Sequence, residues 1–139
     1  LIIITIIFLN FANSLFASEN FYKNAIEKYN KKNFEDAKFL FQRNIIFNPR
    51  DAKSYLYLAK IYNNEENQKE ELKNINTVIL LDPKNEEAVY MLIKIDLKKS
   101  NYLEVKKLLK TFLVICNNLC EKEKLILEAL NNIEPKNES

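Results

Sequence analysis

In 139 residues the chain contains no glycine, no histidine and no tryptophan. A phosphate-cradling loop or a doubly wound nucleotide fold needs glycine where the backbone approaches a ligand or turns to positive φ, so Rossmann, P-loop and kinase-type loops are excluded. Without histidine the commonest general base and the commonest zinc ligand are gone. Two cysteines alone cannot complete a structural zinc site, and no metal or other cofactor is expected. Charge of one sign is missing too. The 21 Lys and Arg face 19 Asp and Glu, a net +2 without long blocks, which argues against a nucleic-acid binder. The acidic neighbours Glu65-Glu66 and Glu70-Glu71 have no partner base or apolar pocket beside them and read as solvated helix ends. The chain is expected not to be an enzyme.

What is present is a repeat. In Ala52–Asn85, Tyr55, Leu58, Ala59 and Tyr62 stand at i, i+3, i+4 and i+7, one apolar helical face. Leu72, Ile75, Val78, Ile79 and Leu81 repeat the device after a polar stretch, Asn63 to Gln68, which can bury nothing and must turn. Asp82-Pro83 closes the pair. The unit recurs at a spacing of 34 residues: Pro49 and Pro83; Asn33, Asn67 and Asn101; Phe21, Tyr55 and Val89; Ala25, Ala59 and Ile93; Phe41, Ile75 and Leu109. A chain of this length supports one domain with a real core.

In order, Leu1–Ala17 is uncharged, with an apolar run from Leu1 to Leu9 broken only by Thr5. It is shorter than the roughly 20 apolar residues of a membrane span. It has the length of a secretory h-region and ends on the small Ala17 before Ser18, so export with cleavage after Ala17 is expected, against retention as an anchor. The first repeat occupies 18–51, the second 52–85 and the third 86–119. Residues 120–139 hold a capping helix, with Ile126, Ala129, Leu130 and Ile133 on one face, and a tail from Pro135.

The segment Asn33-Phe34-Glu35-Asp36-Ala37, together with the 34-residue helix–turn–helix period, resembles the tetratricopeptide repeat. There the aromatic packs under the turn, the small residue lets two helices approach, and the Asn caps the helix or takes the left-handed conformation usually left to glycine. The resemblance implies an all-α fold, an α-solenoid of three such repeats plus the capping helix, of a bacterial exported type. The second repeat departs from the pattern. Gln68 replaces the turn aromatic and Glu71 the small residue, implying a looser contact with Leu72 carrying more of the packing.

In this family the first helices line a concave groove. Carried over residue by residue, the groove of this chain is lined by Tyr22, Ile26, Tyr29, Leu56, Lys60, Tyr90, Lys94 and Lys98. Its rows repeat every 34 residues: Tyr22, Leu56 and Tyr90; Ile26, Lys60 and Lys94. The co-chaperone subfamily binds a C-terminal carboxylate with a Lys/Asn/Arg clamp. Tyr22, Ile26, Tyr57, Glu87 and Met91 stand at those places here, so chaperone tails are not implied. An apolar end grading to a basic end suits a peptide or protein segment with aromatic and acidic residues. The expectation is a non-enzymatic interaction scaffold in the periplasm or cell envelope. The alternative is a structural component held at the membrane by a retained N-terminal segment and acting through its repeat ends. Cys116 and Cys120 read either as two small apolar residues in the packing or, in an exported chain, as a disulfide across the last turn.

Overall fold

A computed structural model describes residues 20–133. The expectations for Leu1–Ala17 and for the tail from Pro135 lie outside these residues. Every element among the described residues is an α-helix: α1 through 20–30, α2 Phe34–Phe47, α3 Ala52–Asn64, α4 Gln68–Leu81, α5 Glu86–Lys98, α6 Tyr102–Ile115 and α7 Lys122–Ile133. The chain divides into two compact units within α4, the first ending at Thr77 and the second beginning at Val78.

The turns inside the helix pairs are one device used three times. Lys32, Glu66 and Ser100 have φ of 59°, 56° and 54°, in the left-handed region where a side chain is penalised. Around each, the chain makes the same paired closure. Asn33 N–H donates to Lys28 C=O at 3.0 Å and Lys32 N–H to Tyr29 C=O at 2.9 Å. The equivalent bonds run from Asn67 to Tyr62 at 2.9 Å and Glu66 to Asn63 at 3.1 Å, then from Asn101 to Asp96 at 2.9 Å and Ser100 to Leu97 at 3.0 Å. These are Schellman closures, which satisfy the last carbonyls of the first helix. The left-handed residue is thus the one before the asparagine. Asn33 itself sits at φ −82° and caps α2, accepting from Asp36 N–H at 3.3 Å, and Asn67 caps α4 through Glu70 N–H at 3.2 Å. Asn101 makes no such cap; its amide donates to Asp96 Oδ1 at 3.4 Å.

In the first unit, Ala25 on α1 meets Ala37 and Phe41 on α2, with Leu58 and Ile61 of α3 completing the cluster. Two alanines at the α1–α2 crossing let the backbones approach, while Phe41 fills the space beyond them. The joint between α2 and α3 is polar and fully partnered. Buried Asn44 donates to Asp51 Oδ2 at 2.7 Å and to Ser54 Oγ at 2.9 Å, and Ser54 Oγ–H donates to Asp51 Oδ2 at 2.7 Å. Asp51 also caps α3 by accepting from Lys53 N–H at 3.3 Å. Farther on, Glu71 is not the loosened position its charge implied. It is 3% exposed, as buried as its counterparts Ala37 and Val105, and accepts from Asn63 Nδ2 at 2.8 Å. Leu72 beside it is only half-buried. A partnered carboxylate is tolerated where an orphaned one is not.

In the second unit α5 packs on α6, and α7 packs on both. Val89, Ile93, Val105, Leu109, Phe112, Ile126 and Leu130 form its core. The last helix begins at Lys122, with Cys120 and Glu121 still in the turn, and it buries the Ile126 and Leu130 that its sequence pattern aimed inward. Cys116 and Cys120 are joined in a disulfide with their Cα atoms 5.3 Å apart. Among the described residues no helix is long and apolar enough to cross a membrane.

Two predictions follow from the turns and from the acid at the start of α5. Ser100 and Lys32 are exposed, so glycine there removes only the left-handed penalty. Ser100→Gly or Lys32→Gly should stabilise by about 0.5–1 kcal/mol in urea unfolding. Asn33→Ala, one residue later, should instead cost about 1 kcal/mol through the lost cap. The Glu86 carboxyl is held below its ordinary value of 4.5, chiefly by the Asn117 backbone N–H, with Leu119 and Asn118 adding to it against the opposing effect of desolvation. A carboxylate lowered by folding stabilises the fold fully above its unfolded value and stops doing so as pH falls through the folded one. Glu86→Gln should therefore be less stable than the parent at pH 7, and the gap should narrow towards pH 3 in parallel urea melts.

Candidate functional site

The site-lining residues assigned to the first unit come from α1 and α3. On α1, Tyr22, Ile26 and Tyr29 stand at i, i+4 and i+7, and all three are half-buried against the Ala25–Phe41 cluster. What brings the α1 tyrosines into one surface is a residue of α3 outside the lining set, Tyr57. Its ring stacks on Phe41 with centroids 5.1 Å apart and planes 10° apart. Tyr29 meets it edge-on at 4.9 Å and 76°, and Tyr22 at 6.5 Å and 72°. Lys60, one helical turn along α3, holds its ammonium 4.8 Å from the Tyr57 centroid. Tyr22 also touches Phe41 at 6.0 Å, and Tyr29 touches Phe34 at 5.4 Å.

The result is an aromatic face of half-buried rings packed on one another and on Phe41, with the Lys60 ammonium beside the Tyr57 ring. The Tyr22 hydroxyl is pushed up to about 12, first by burial, then by the proximity of Tyr57 and Asp51. At neutral pH it is a protonated donor. Leu56, expected in the same row as Tyr22, keeps only 8% of its surface and contributes to the core instead. Tyr57 follows it directly, so the face passes from a leucine to a tyrosine by a single step along α3. The sequence signal for Tyr57 was its place among the clamp positions, where it stands in place of a polar residue.

In the second unit, α5 carries Tyr90, Lys94 and Lys98. Tyr90 is half-buried, tilted against Phe112 with centroids 6.1 Å apart. Lys94 is exposed and places its ammonium 5.5 Å from the Tyr90 ring, repeating the arrangement of Lys60 and Tyr57. Lys98 is exposed at the end of the helix. Both units thus present a tyrosine seated in the core with a lysine across its ring. Among the described residues no three His, Cys, Asp or Glu side chains gather to hold a metal ion.

No family model matches the sequence, and no curated protein matches it. Solved structures do. The TPR2B domain of yeast Sti1, solved as a complex with pHsp70, superposes with a TM-score of 0.74 over 86% of this chain and 99% of that one, at 16% identity. The type III secretion chaperone SycD of Yersinia enterocolitica, in complex with a peptide of the translocator YopD, gives 0.69 over 83% and 90% at 19% identity. The second TPR domain of human RPAP3, with the HSP70 peptide SGPTIEEVD, gives 0.69 over 88% and 99% at 18% identity. The chain has the tetratricopeptide-repeat fold. In the terms of that fold, α3 and α5, which carry the Tyr57–Lys60 and Tyr90–Lys94 pairs, are first helices of their repeats, while a further pair, Tyr102–Lys106, lies on the second helix α6.

The hub position of Tyr57 makes a stability prediction. Tyr57→Ala should cost about 2–4 kcal/mol, because three ring partners lose their packing. Tyr57→Phe keeps the rings and should cost less than about 1 kcal/mol. Equal losses in the two variants, measured by urea unfolding, would mean that the hydroxyl rather than the ring holds the face together.

Proposed function

We propose that the chain is a non-enzymatic scaffold that docks a peptide or protein segment on the faces of its first helices. The feature that supports this most directly is the seating of Tyr57, with Phe41 under its ring, two tyrosines at its edges and an ammonium 4.8 Å away. Aromatic residues that are already immobilised lose little entropy on binding, and their hydroxyls supply donors at a fixed position. Lysines beside them attract acidic partners and make association salt-dependent. The fold agrees: SycD was solved with a YopD peptide and the RPAP3 domain with an HSP70 peptide. Where the co-chaperone subfamily carries a carboxylate clamp, this chain has Tyr22, Ile26, Tyr57, Glu87 and Met91. The ligand that fits is therefore an internal segment bearing aromatic and acidic side chains, not a terminal carboxylate.

The scaffold is proposed to work in the cell envelope after export, with cleavage after Ala17; the uncharged apolar Leu1–Ala17 supports this. N-terminal sequencing of the mature protein should begin at Ser18, and retention of the segment would shift the role to an anchored one. That second role is an assembly component acting through its repeat ends; a separate feature, outside both the groove and the ends, offers a further surface for packing. Ile46, Leu80 and Val114 recur at 34 residues on the second helices and are 71%, 81% and 85% exposed.

A partner captured from the envelope fraction decides between the two. Lys94→Glu should slow its association by about tenfold at low salt, with a smaller effect on release. Tyr22→Phe, which keeps the ring and removes the donor, should weaken affinity by about 0.5–1.5 kcal/mol. Lys73→Glu, on α4 with its side chain well exposed, should change neither. If Ile46→Ser abolishes capture while Lys94→Glu and Tyr22→Phe bind normally, the groove is not the site.

A further inference from the structure

Cys116 ends α6, Cys120 stands just ahead of α7, and the disulfide between them closes a ring over Asn117, Asn118 and Leu119. Three successive backbone N–H groups in that ring converge on one carboxylate. Asn117 N–H donates to Glu86 Oε2 at 2.6 Å, Asn118 N–H reaches both oxygens at 3.1 Å, and Leu119 N–H donates to Oε2 at 3.2 Å. Asn118 Nδ2 adds a donor to Oε1 at 3.2 Å. Consecutive N–H groups pointing at one anion form a nest. The ring restrains the segment that carries this one.

Glu86 is the first residue of α5, so its carboxylate fastens the α6–α7 loop to the start of the helix that α7 packs against. The same loop is tied down on its apolar side, where Cys116 and Leu119 pack on the core of the second unit. The start of α7 is therefore tied to α5 and α6 through the loop's disulfide, its bonds to Glu86 and its apolar contacts. Helix α7 itself buries Ile126 and Leu130 and packs Ile133 on the same core, while Leu125 and Leu127 stay 54% and 40% exposed.

We propose that the Cys116–Cys120 disulfide and Glu86 form a redox-controlled latch that holds α7 on α5 and α6. Its co-reactant is a dithiol. One thiolate of the dithiol attacks Cys120 Sγ, on the more exposed of the two cysteines, and forms a mixed disulfide. The Cys116–Cys120 bond breaks, and its electron pair leaves on Cys116 Sγ, which takes a proton. The second thiolate of the dithiol then attacks its own partner sulfur and releases Cys120, which is protonated in turn. The chain gains two electrons and two protons, and the dithiol becomes a disulfide. With the ring open, the nest loses its restraint on Glu86. In the chain-entropy account, opening a ring of about five residues weakens the ordered loop by about thirtyfold. Release of α7 uncovers Val89, Ile93, Leu109 and Phe112, an apolar face on α5 and α6.

Hydrogen exchange on the full chain, with and without dithiothreitol, tests this, complete reduction being verified by thiol labelling. Amides of α7 should exchange about thirtyfold faster in the reduced protein, with α2, α3 and α5 unchanged. The Cys116→Ser/Cys120→Ser variant should reproduce this without reductant, and oxidised Glu86→Gln should show faster exchange at 117–119. An α7 rate unchanged within about twofold in the reduced protein and in the double variant overturns the latch. So does acceleration spread evenly through α5 and α6, which would make the disulfide a staple of the whole unit. Normal exchange at 117–119 in Glu86→Gln removes the carboxylate from the device and overturns it as stated.

Discussion

The fold depends on a backbone conformation that its composition makes expensive. Each pair of helices has to reverse within three residues, and the Schellman closure does this only with a residue at positive φ. Glycine takes that conformation freely, and this chain has none. Lys32, Glu66 and Ser100 take it instead, with side chains turned to solvent so that strain is confined to the backbone. The next residue, always asparagine, closes one helix with its N–H, and in two of three cases opens the next with its side-chain oxygen. Because these three residues set where one helix stops and the next starts, they also set which faces meet: Ala25 against Ala37 and Phe41, and Val89 and Ile93 against Val105 and Leu109.

Apolar packing alone leaves helix pairs free to slide, and buried polar contacts fix the register. Asn44, Asp51 and Ser54 form a closed triangle of bonds at 2.7–2.9 Å, each needing the other two in place. Asp51 shares itself between this triangle and the α3 cap, so the groups that receive Asn44 are fixed at the start of α3, and a slip of α2 along α3 would orphan the buried Asn44 amide. Glu71 and Asn63 do the same work between α3 and α4. These contacts add little net stability and much penalty for misalignment.

The repeat was legible because it is periodic: residues 34 apart do the same job, so turns, core faces and the last helix could be aligned from one another. What escaped the sequence was whatever breaks the period. Glu71 read as a defect because its partner Asn63 lies in the preceding turn, among residues that look merely polar. Tyr57 was hidden behind Leu56, since the row built on Tyr22 and Tyr90 selects position 56, and only packing shows the leucine turned inward. Glu86 was unreadable as a ligand of residues 117–119, because a contact across about thirty residues carries no local signal. The two cysteines left packing and disulfide open, and geometry decided it.

The aromatic faces carry polar groups without giving up core. Tyr57 and Tyr90 each have a ring partner within the cluster, Phe41 and Phe112, and a lysine on the ring. The ring area that a ligand would otherwise bury is therefore already spent on folding, so binding there cannot draw much on new apolar burial. The polar groups these faces carry are the phenols of Tyr57 and Tyr90 and the ammoniums of Lys60 and Lys94. An ammonium over a ring is partly desolvated and can give up its ring contact for a carboxylate at small cost. Under the proposed function such a face would distinguish ligands by where their acidic and hydrogen-bonding groups fall along the helices, and would give little to one that is only hydrophobic. Under the proposed scaffold role, with Ile46, Leu80 and Val114 exposed on the second helices, that division would keep the two kinds of surface from competing for the same partner.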